Sequence, residues 1–511
     1  MTSGACDRSP FLNLLGKCGA VVTLIASLGV FGWYAKALLL KYPPIWPDEP
    51  FYTNPAINRI YHGVFGFTLL DSFFPGAVHH SFLVPLGYVI YSWVVFSLCG
   101  IGIVQARLGS LTAAVAVLFL TYGVARRAGL GRWTSLLPVS LLALDTVFLR
   151  GALVARADML ELALLLLSFW LAAPFLDSET CKMPIRLFLA GLVFGLAVLM
   201  LHVSTGVSAV FLVGLALAVP NKRRTLLLPV LCGMAVSLVP GACYVGLHWR
   251  EFILQFSAQI SGKSGRHPLA LDHLVSFLLM DMEQYGGKCV LVLVAWVGGL
   301  IGLILFARRS KFTRLLLLVQ LAMFAVMLWG GEIWYPLYIA PLTMIGLVQL
   351  ATLTAQGCSW WDDRAFRKLA GWAAVFLALW MAQYSLVKTR SIDYESNVLY
   401  PQDTDYLAWG RQVSDAVPKG STVLISIIPD PYFVLREREG LSLREFMPHF
   451  NLDRPRDEML YMAGADYVLA RGPYPDKKVW AFVQAHARLV KQIGNQFGGG
   501  YYTGVYTVIK K

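Results

Sequence analysis

The sequence predicts a polytopic α-helical membrane protein with about 11 spans, interfacial helices in its first outer loop and a small soluble α/β domain at the C-terminus. Three observations predict it. The 511 residues are 57% hydrophobic and only 14% charged, against about 25% charged in soluble domains. Apolar stretches recur at about 20 residues, the length a helix needs to cross a hydrocarbon core. Short basic clusters separate them, as they do in cytoplasmic loops. The net charge of +13 is therefore distributed among loops and argues against a nucleic-acid partner. The eight cysteines show no CxxC and no metal-ligand spacing, and none follows Cys358, so the tail is not a disulfide-stapled domain.

Arg8 and Lys17 precede the first span, residues 19–40, and place the N-terminus inside. This span is too long for a signal h-region and is read as a retained anchor. Residues 41–103 then form a long outer loop. It opens with KYPPIWPDEPFYTNPAINRI, whose prolines are expected to stop the preceding helix and hold the chain extended. Its aromatics suit a membrane–water interface, and it carries the acidic pair Asp48–Glu49. Residues 53–66 predict a short interfacial helix. Residues 82–101 are apolar enough to cross. A crossing there would turn Arg126, Arg127, Arg132 and every later basic loop outward, so this stretch is expected to lie in the membrane plane or re-enter. The remaining spans are 106–126, 134–150, 159–175, 186–201, 204–219, 226–247, 288–306, 315–330, 336–354 and 370–387. Residues 248–286 are expected to be a polar outer loop. With these crossings every interior loop is basic. The domains are then a membrane-embedded catalytic part, 1–387, and an external α/β domain, 388–511. In the latter, STVLISII, ADYVLA and YTGVYTVI alternate with the helical KKVWAFVQAHARLV. Its Asp430, Asp453 and Asp466 are expected to be solvated.

This topology gathers the chemistry-bearing residues on one outer face: Asp48, Glu49, Arg59, His62, His79, His80, Arg156, Asp158, His202, Glu332 and Tyr335. The 248–286 loop adds Lys263, Arg266 and Tyr285. Each has a plainer structural role. Asp48–Glu49 could be a solvated acidic turn, Arg156–Asp158 an ion pair tying two helix ends, His202 a structural histidine, and the loop residues a solvated lid. Against that, ionisable residues at helix ends that face a bundle interior are costly and tend to be functional. A carboxylate between cations beside a bilayer suits group transfer from an anionic lipid. The carboxylate takes a proton from an acceptor, and the cations neutralise charge on a departing phosphate. Arginine serves because its planar fork matches phosphate. There is no P-loop and no G-x-G-x-x-G after a strand. Acidic and histidine groups coexist, so a divalent metal is compatible, although no ligand spacing calls for one.

The residues also resemble a known class. PDEPFYTNPA, the FSLCGIGIVQARLGSLTAAVAVLFLTYGVARRAG stretch with Arg107, LDTVFLRGALVARADMLELALLLLSFWL, GLAVLMLHVSTG and EIWYPLYIAPL follow one another over residues 19–355. In order and spacing they are similar to the GT-C membrane glycosyltransferases, in particular the protein O-mannosyltransferases and the lipid A aminoarabinose transferases. His202 stands where that family often has a lysine, and His79 and His80 stand in place of a lysine-containing first-loop motif. The resemblance implies an inverting glycosyltransferase that moves one sugar from a polyprenyl-phosphate carrier to a lipid, glycan or protein acceptor at the outer face. It implies a multi-pass protein of a bacterial inner membrane with a periplasmic site. Asp48 matches the family's catalytic base and Asp158 its second acidic residue. Glu49 and Asp158 would position base or acceptor. Arg156, helped by Arg107 or His202, would steady the phosphate. Arg59, Lys263, Arg266, Tyr285, Glu332 and Tyr335 would complete the substrate site. Two other classes remain open: a lipid-linked-sugar flippase, and a receptor or scaffold whose working part is the tail. Transporters place their sites near the midplane and show internal repeats, neither of which this sequence displays.

Overall fold

The computed structural model describes residues 10–41, 43–70, 76–177, 184–200, 203–218, 223–263, 289–330, 336–357, 405–438, 440–446, 455–470, 476–494 and 501–510. Helices α1 (Pro10–Leu38), α2 (Asp48–His62), α3 (Leu86–Cys99) and α4 (Ile103–Arg127) open the chain. Then come α5 (Leu136–Ala143), α6 (Thr146–Ala152), α7 (Asp158–Ala172), α8 (Pro174–Asp177), α9 (Pro184–Met200), α10 (Val203–Ala218), α11 (Arg223–Leu247) and α12 (Trp249–Lys263). The helical part ends with α13 (Cys289–Ala307), α14 (Lys311–Gly330) and α15 (Pro336–Gly357). Five of the described helical stretches are long and apolar enough to cross a membrane: Cys18–Leu38, Ile103–Arg127, Asp158–Leu176, Thr225–Leu247 and Pro336–Thr354. Shorter apolar helices cover Leu86–Cys99, Pro184–Met200, Ser204–Leu217 and Leu293–Ala307. Their outer faces stay apolar: Phe119 is 75% exposed and Leu228 64%, a surface that suits lipid and not water. This is a multi-pass membrane protein.

The bundle packs α4 on α7, α7 on α9, α9 on α11, α10 on α14 and α13 on α15. Small residues let backbones touch, because lipid provides no hydrophobic drive between helices and close van der Waals packing must serve instead. A Cβ on Gly302 of α13 would land on the Gly346 carbonyl of α15, and one on Gly346 would land on Gly299.

Three expected stretches differ. The proline-rich loop is not extended throughout: Asp48 and Glu49 form the first turn of α2. Proline is tolerated at a helix start, where its missing N–H has no intrahelical partner anyway, and acids there complement the helix dipole. The span expected at 134–150 is split into α5 and α6, because Asp145 leaves helical geometry and its carboxylate caps the next helix by accepting from the Phe148 amide at 3.0 Å. The loop expected at 248–286 begins as helix α12, whose Trp249, Ile253, Leu254 and Phe256 are all exposed. Helix α3, in the stretch expected to lie flat or re-enter, has 14 residues and rises about 21 Å, short of a hydrocarbon core of about 30 Å. The expected span 370–387 and the domain boundary at 387/388 lie outside the described residues.

The tail contains α16 (Tyr406–Asp415), β1 (Thr422–Ile425), α17 (Tyr432–Arg436), β2 (Ser442–Glu445), α18 (Pro455–Ala463), β3 (Tyr467–Ala470), α19 (Lys477–His486), β4 (Ala487–Ile493) and β5 (Thr503–Val508). Its sheet has the order β2-β1-β3-β5-β4. β1 pairs in parallel with β2 and β3, and β5 is antiparallel to β3 and β4. The buried apolar residues of tail and bundle form one contiguous cluster that includes Phe51 and Phe67 of the first outer loop and Val423 and Val468 of the sheet.

Candidate active site

Helix α2 turns its two N-terminal carboxylates in different directions, since successive helical residues point about 100° apart. Glu49 points inward and is fully buried. Its Oε1 accepts from Arg107 Nη2 at 2.5 Å and from the Trp46 amide at 3.1 Å. Its Oε2 accepts from Arg107 Nε at 2.8 Å and from the Ala155 amide at 2.9 Å. Arg107, equally buried, donates its remaining bonds to the carbonyls of Leu39 (2.7 Å) and Pro43 (3.0 Å). This satisfied pair locks α4, the end of α1, the start of the first outer loop, the start of α2 and the α6–α7 turn together. Arg107 was expected to help Arg156 steady a phosphate, and Glu49 to position base or acceptor. In this structure both are sealed from solvent and their hydrogen bonds are made to protein, so they position the loop.

Asp48 points outward. Its carboxylate pairs with Arg156 Nη1, whose Nε donates to Asp158 Oδ2 at 2.9 Å. Exposure separates the three acids: the Asp48 side chain is 25% exposed, Asp158 5% and Glu49 0%. Of the three, Asp48 is the carboxylate that something arriving from outside can meet. Arg156 also lies over the Tyr52 ring at 5.1 Å, a cation–π contact. Burial alone would lower its pKa, but Asp158, Tyr52 and Asp48 together hold it well above the usual arginine value, so it is a permanent cation.

Behind Asp158 the polar chain continues into the bundle through residues not singled out in the sequence. Tyr338 of α15 donates to Asp158 Oδ1 at 3.2 Å and also hydrogen-bonds Glu161. Glu161, one helical turn below Asp158 on α7, accepts from the Ser204 amide at 2.7 Å and from its hydroxyl. Glu161 lies three residues after Asp158 in ADMLELA, and an i,i+3 acid pair at the mouth of an apolar helix was the available signal.

Other expected residues fall elsewhere. Arg59 sits at the far end of α2, about 16 Å along the helix from Asp48, bonded to the Gly63 carbonyl and 5.2 Å from the Phe65 ring centroid. Lys263 ends α12, and its side chain is outside what is described. His202, Arg266, Tyr285, Glu332 and Tyr335 lie outside the described residues. His80 stacks on His248 of α12 with centroids 3.6 Å apart. Burial, and then the neighbouring His248, lowers the His80 pKa. Gln255 clasps the same segment, donating to the His80 carbonyl at 2.8 Å and accepting from the Phe82 amide at 2.6 Å. Helix α12 is thus tied to the first outer loop. Among the described residues no three His, Cys, Asp or Glu side chains group as a metal site requires.

Asp430, expected to be solvated, is fully buried. Asp453 lies outside the described residues. Asp466 is 30% exposed and paired with Lys510. Its hydrogen bonds from Lys510 and the Thr422 amide lower its pKa.

No protein-family model and no curated protein sequence matches the chain. Solved structures do. ArnT from Cupriavidus metallidurans in the apo state aligns with a TM-score of 0.63 at 14% identity, over 96% of this chain and 98% of that one. The same protein bound to undecaprenyl phosphate aligns with a TM-score of 0.58 at 14% identity, over 98% and 99%. The Archaeoglobus fulgidus oligosaccharyltransferase tethered to an acceptor peptide aligns with a TM-score of 0.55 at 11% identity, over 96% of this chain and 74% of that one.

The chain has the GT-C fold. In ArnT the alignment runs almost end to end, so the GT-C architecture here includes the C-terminal domain as well as the helical bundle.

Proposed function

We propose that this GT-C chain is an inverting glycosyltransferase that moves one sugar from a polyprenyl-phosphate carrier to an acceptor at the outer face of the membrane, with Asp48 as general base. The observation that carries the reading is the Asp48–Arg156–Asp158 constellation, in which the most exposed carboxylate stands beside a permanent cation. The acceptor hydroxyl or amine gives its proton to Asp48. Its heteroatom bonds to the anomeric carbon as the bond from that carbon to the phosphate oxygen breaks, and the electron pair leaves with the polyprenyl phosphate. Arg156 stabilises the negative charge that gathers on the departing oxygen. Asp158, held by Tyr338, orients Arg156. Glu49 and Arg107 hold the loop in which Asp48 stands. The neighbours with the same fold add support: ArnT binds undecaprenyl phosphate.

The test is turnover of purified protein in lipid with a polyprenyl-phosphate sugar, products read by mass spectrometry. Asp48→Asn keeps the shape and removes the base. It is expected to lower turnover by about 10²–10⁴ while substrate binding changes far less. Turnover within about threefold of wild type would remove Asp48 as the base.

A further inference from the structure

The tail brings two buried acids against the loop that carries Asp48. Asp430 and Glu445, at 0% and 1% exposure, stand after β1 and at the end of β2. Their backbones grip the first outer loop: the Asp430 amide donates to the Ile45 carbonyl at 2.8 Å and the Glu445 amide to the Leu69 carbonyl at 2.9 Å. Two tyrosines add to the seam. Tyr461 donates to the Leu69 and Glu445 carbonyls, and Tyr432 meets Asn54 of α2 at 2.9 Å. The side chains are less well served. Asp430 Oδ1 accepts from the Tyr432 amide at 2.7 Å. No protein donor reaches Asp430 Oδ2 or either Glu445 oxygen among the described residues. The two carboxyls lie close enough to influence each other's charge. Two carboxylates are both acceptors, so the contact needs a proton on one of them.

We propose that Asp430 and Glu445 are a proton-sharing pair that docks the C-terminal domain onto residues 45–69 and thereby positions Asp48, so that this domain belongs to the catalytic unit. The loop before Asp48 is gripped from both sides. From the bundle, Arg107 holds the Pro43 carbonyl and the Glu49 carboxylate, which in turn accepts from the Trp46 amide, while the Asp430 amide holds the Ile45 carbonyl from the tail. Ile45 is three residues from Asp48, so a domain that lifts away releases one side of that grip.

Burial raises both acids above the usual carboxyl range; at Asp430 the Tyr432 amide and Glu445 offset part of this while Glu49 adds to it, and at Glu445 Asp430 and then Asp48 add to it. From the other elements packed there, α16 contributes Tyr406, whose hydroxyl bonds the Asp430 carbonyl. Helix α17 contributes Tyr432, with Arg436 beside it, and α18 contributes Tyr461. The nearby cations are engaged, Arg107 with Glu49 and Arg436 over Tyr61. An undocked carboxyl titrates near pH 4. Between that value and its raised docked one the docked state holds the extra proton. Docking is therefore at full strength at low pH and weakens as pH rises. Once both acids ionise, two buried anions face each other without a donor.

This inference rests on Asp48 being the base for its catalytic half, and its docking half is read separately. Hydrogen exchange of the full chain in lipid, corrected for intrinsic rates, is followed from about pH 5 to about pH 9, together with turnover. Wild-type protection at residues 430 and 445, and at 45–49, is expected to fall as pH rises, and turnover to fall with it. In Asp430→Asn the side-chain amide still donates to Glu445, so protection and turnover are expected to lose that alkaline limb. Glu445→Gln is the second variant and is expected to flatten the same curves should Asp430→Asn misfold. Protection that is flat with pH in wild type, or that falls equally in wild type and variant, overturns the shared proton. Protection that behaves as expected while turnover ignores it overturns the positioning role alone. If the chain transfers no sugar at all, the Proposed function fails while the exchange result still decides the docking.

Discussion

Glu49 and Arg107 show how far a single buried pair decides the use of its neighbours. Every carboxylate oxygen of Glu49 accepts two hydrogen bonds, and Arg107 spends its fork on that carboxylate and two carbonyls. Geometry this complete is what offsets the desolvation of two buried charges, and breaking one partner leaves the other uncompensated, at a cost of about 3–5 kcal/mol. Glu49→Gln is thus expected to lower the thermal midpoint of the purified protein sharply or prevent its folding, while Asp48→Asn melts close to wild type. Equal melting of the two variants would mean that the pair does not hold the loop. The presence of an acidic pair at this place was legible in the sequence. Which of the two acids faces outward was not, because that depends on where α2 begins, and a shift of one residue turns each side chain by about 100°.

At the scale of elements, prolines and glycines acted differently from each other. The prolines around Asp48 did stop α1, as expected, but Pro47 and Pro50 then served the start of a new helix instead of an extended strap. Local propensity marks a break without fixing the conformation beyond it, since proline suits both an extended segment and a helical first turn. The glycines of α13 and α15 allow backbone contact. In Gly302→Val the side chain would have to displace the Gly346 carbonyl, and the two helices would part. Loss of folded protein in detergent, read by size-exclusion chromatography, is the expected outcome. A monodisperse variant with wild-type yield would show that this contact is not needed. Helix α12 was hidden in the sequence because its polar and apolar residues read as an ordinary outer loop. The clasp of Gln255 on residues 80–82 joins segments whose proximity has no local signal.

For the whole molecule, the alternation of apolar spans and basic loops predicts the orientation, and the tail is expected to follow it. Lys222 and Arg309 are expected in interior loops, so a cysteine placed at Thr225 in a cysteine-free background is expected to resist a membrane-impermeant reagent in intact cells, and one placed at Lys477 in the tail to react. Ready labelling at 225 would reverse the topology and put the Asp48 cluster on the other side. The tail itself is more than a tethered soluble unit. Its hydrophobic core runs on into that of the first outer loop, and Asp430 lies in the seam instead of in water.

By itself the sequence determined the class of protein, the rough place of the apolar stretches, the α/β character of the tail and the residue types gathered at the first outer loop. These come from composition and periodicity, which are local properties summed along the chain. Tertiary structure alone decided the pairings: Glu49 with Arg107, Asp48 with Arg156, and Tyr338 with both Asp158 and Glu161. The partners of the first two pairs are separated by 58 and 108 residues. A charge shows its role only when burial removes water and leaves the choice of partner to the fold, and burial is not written in the neighbouring residues.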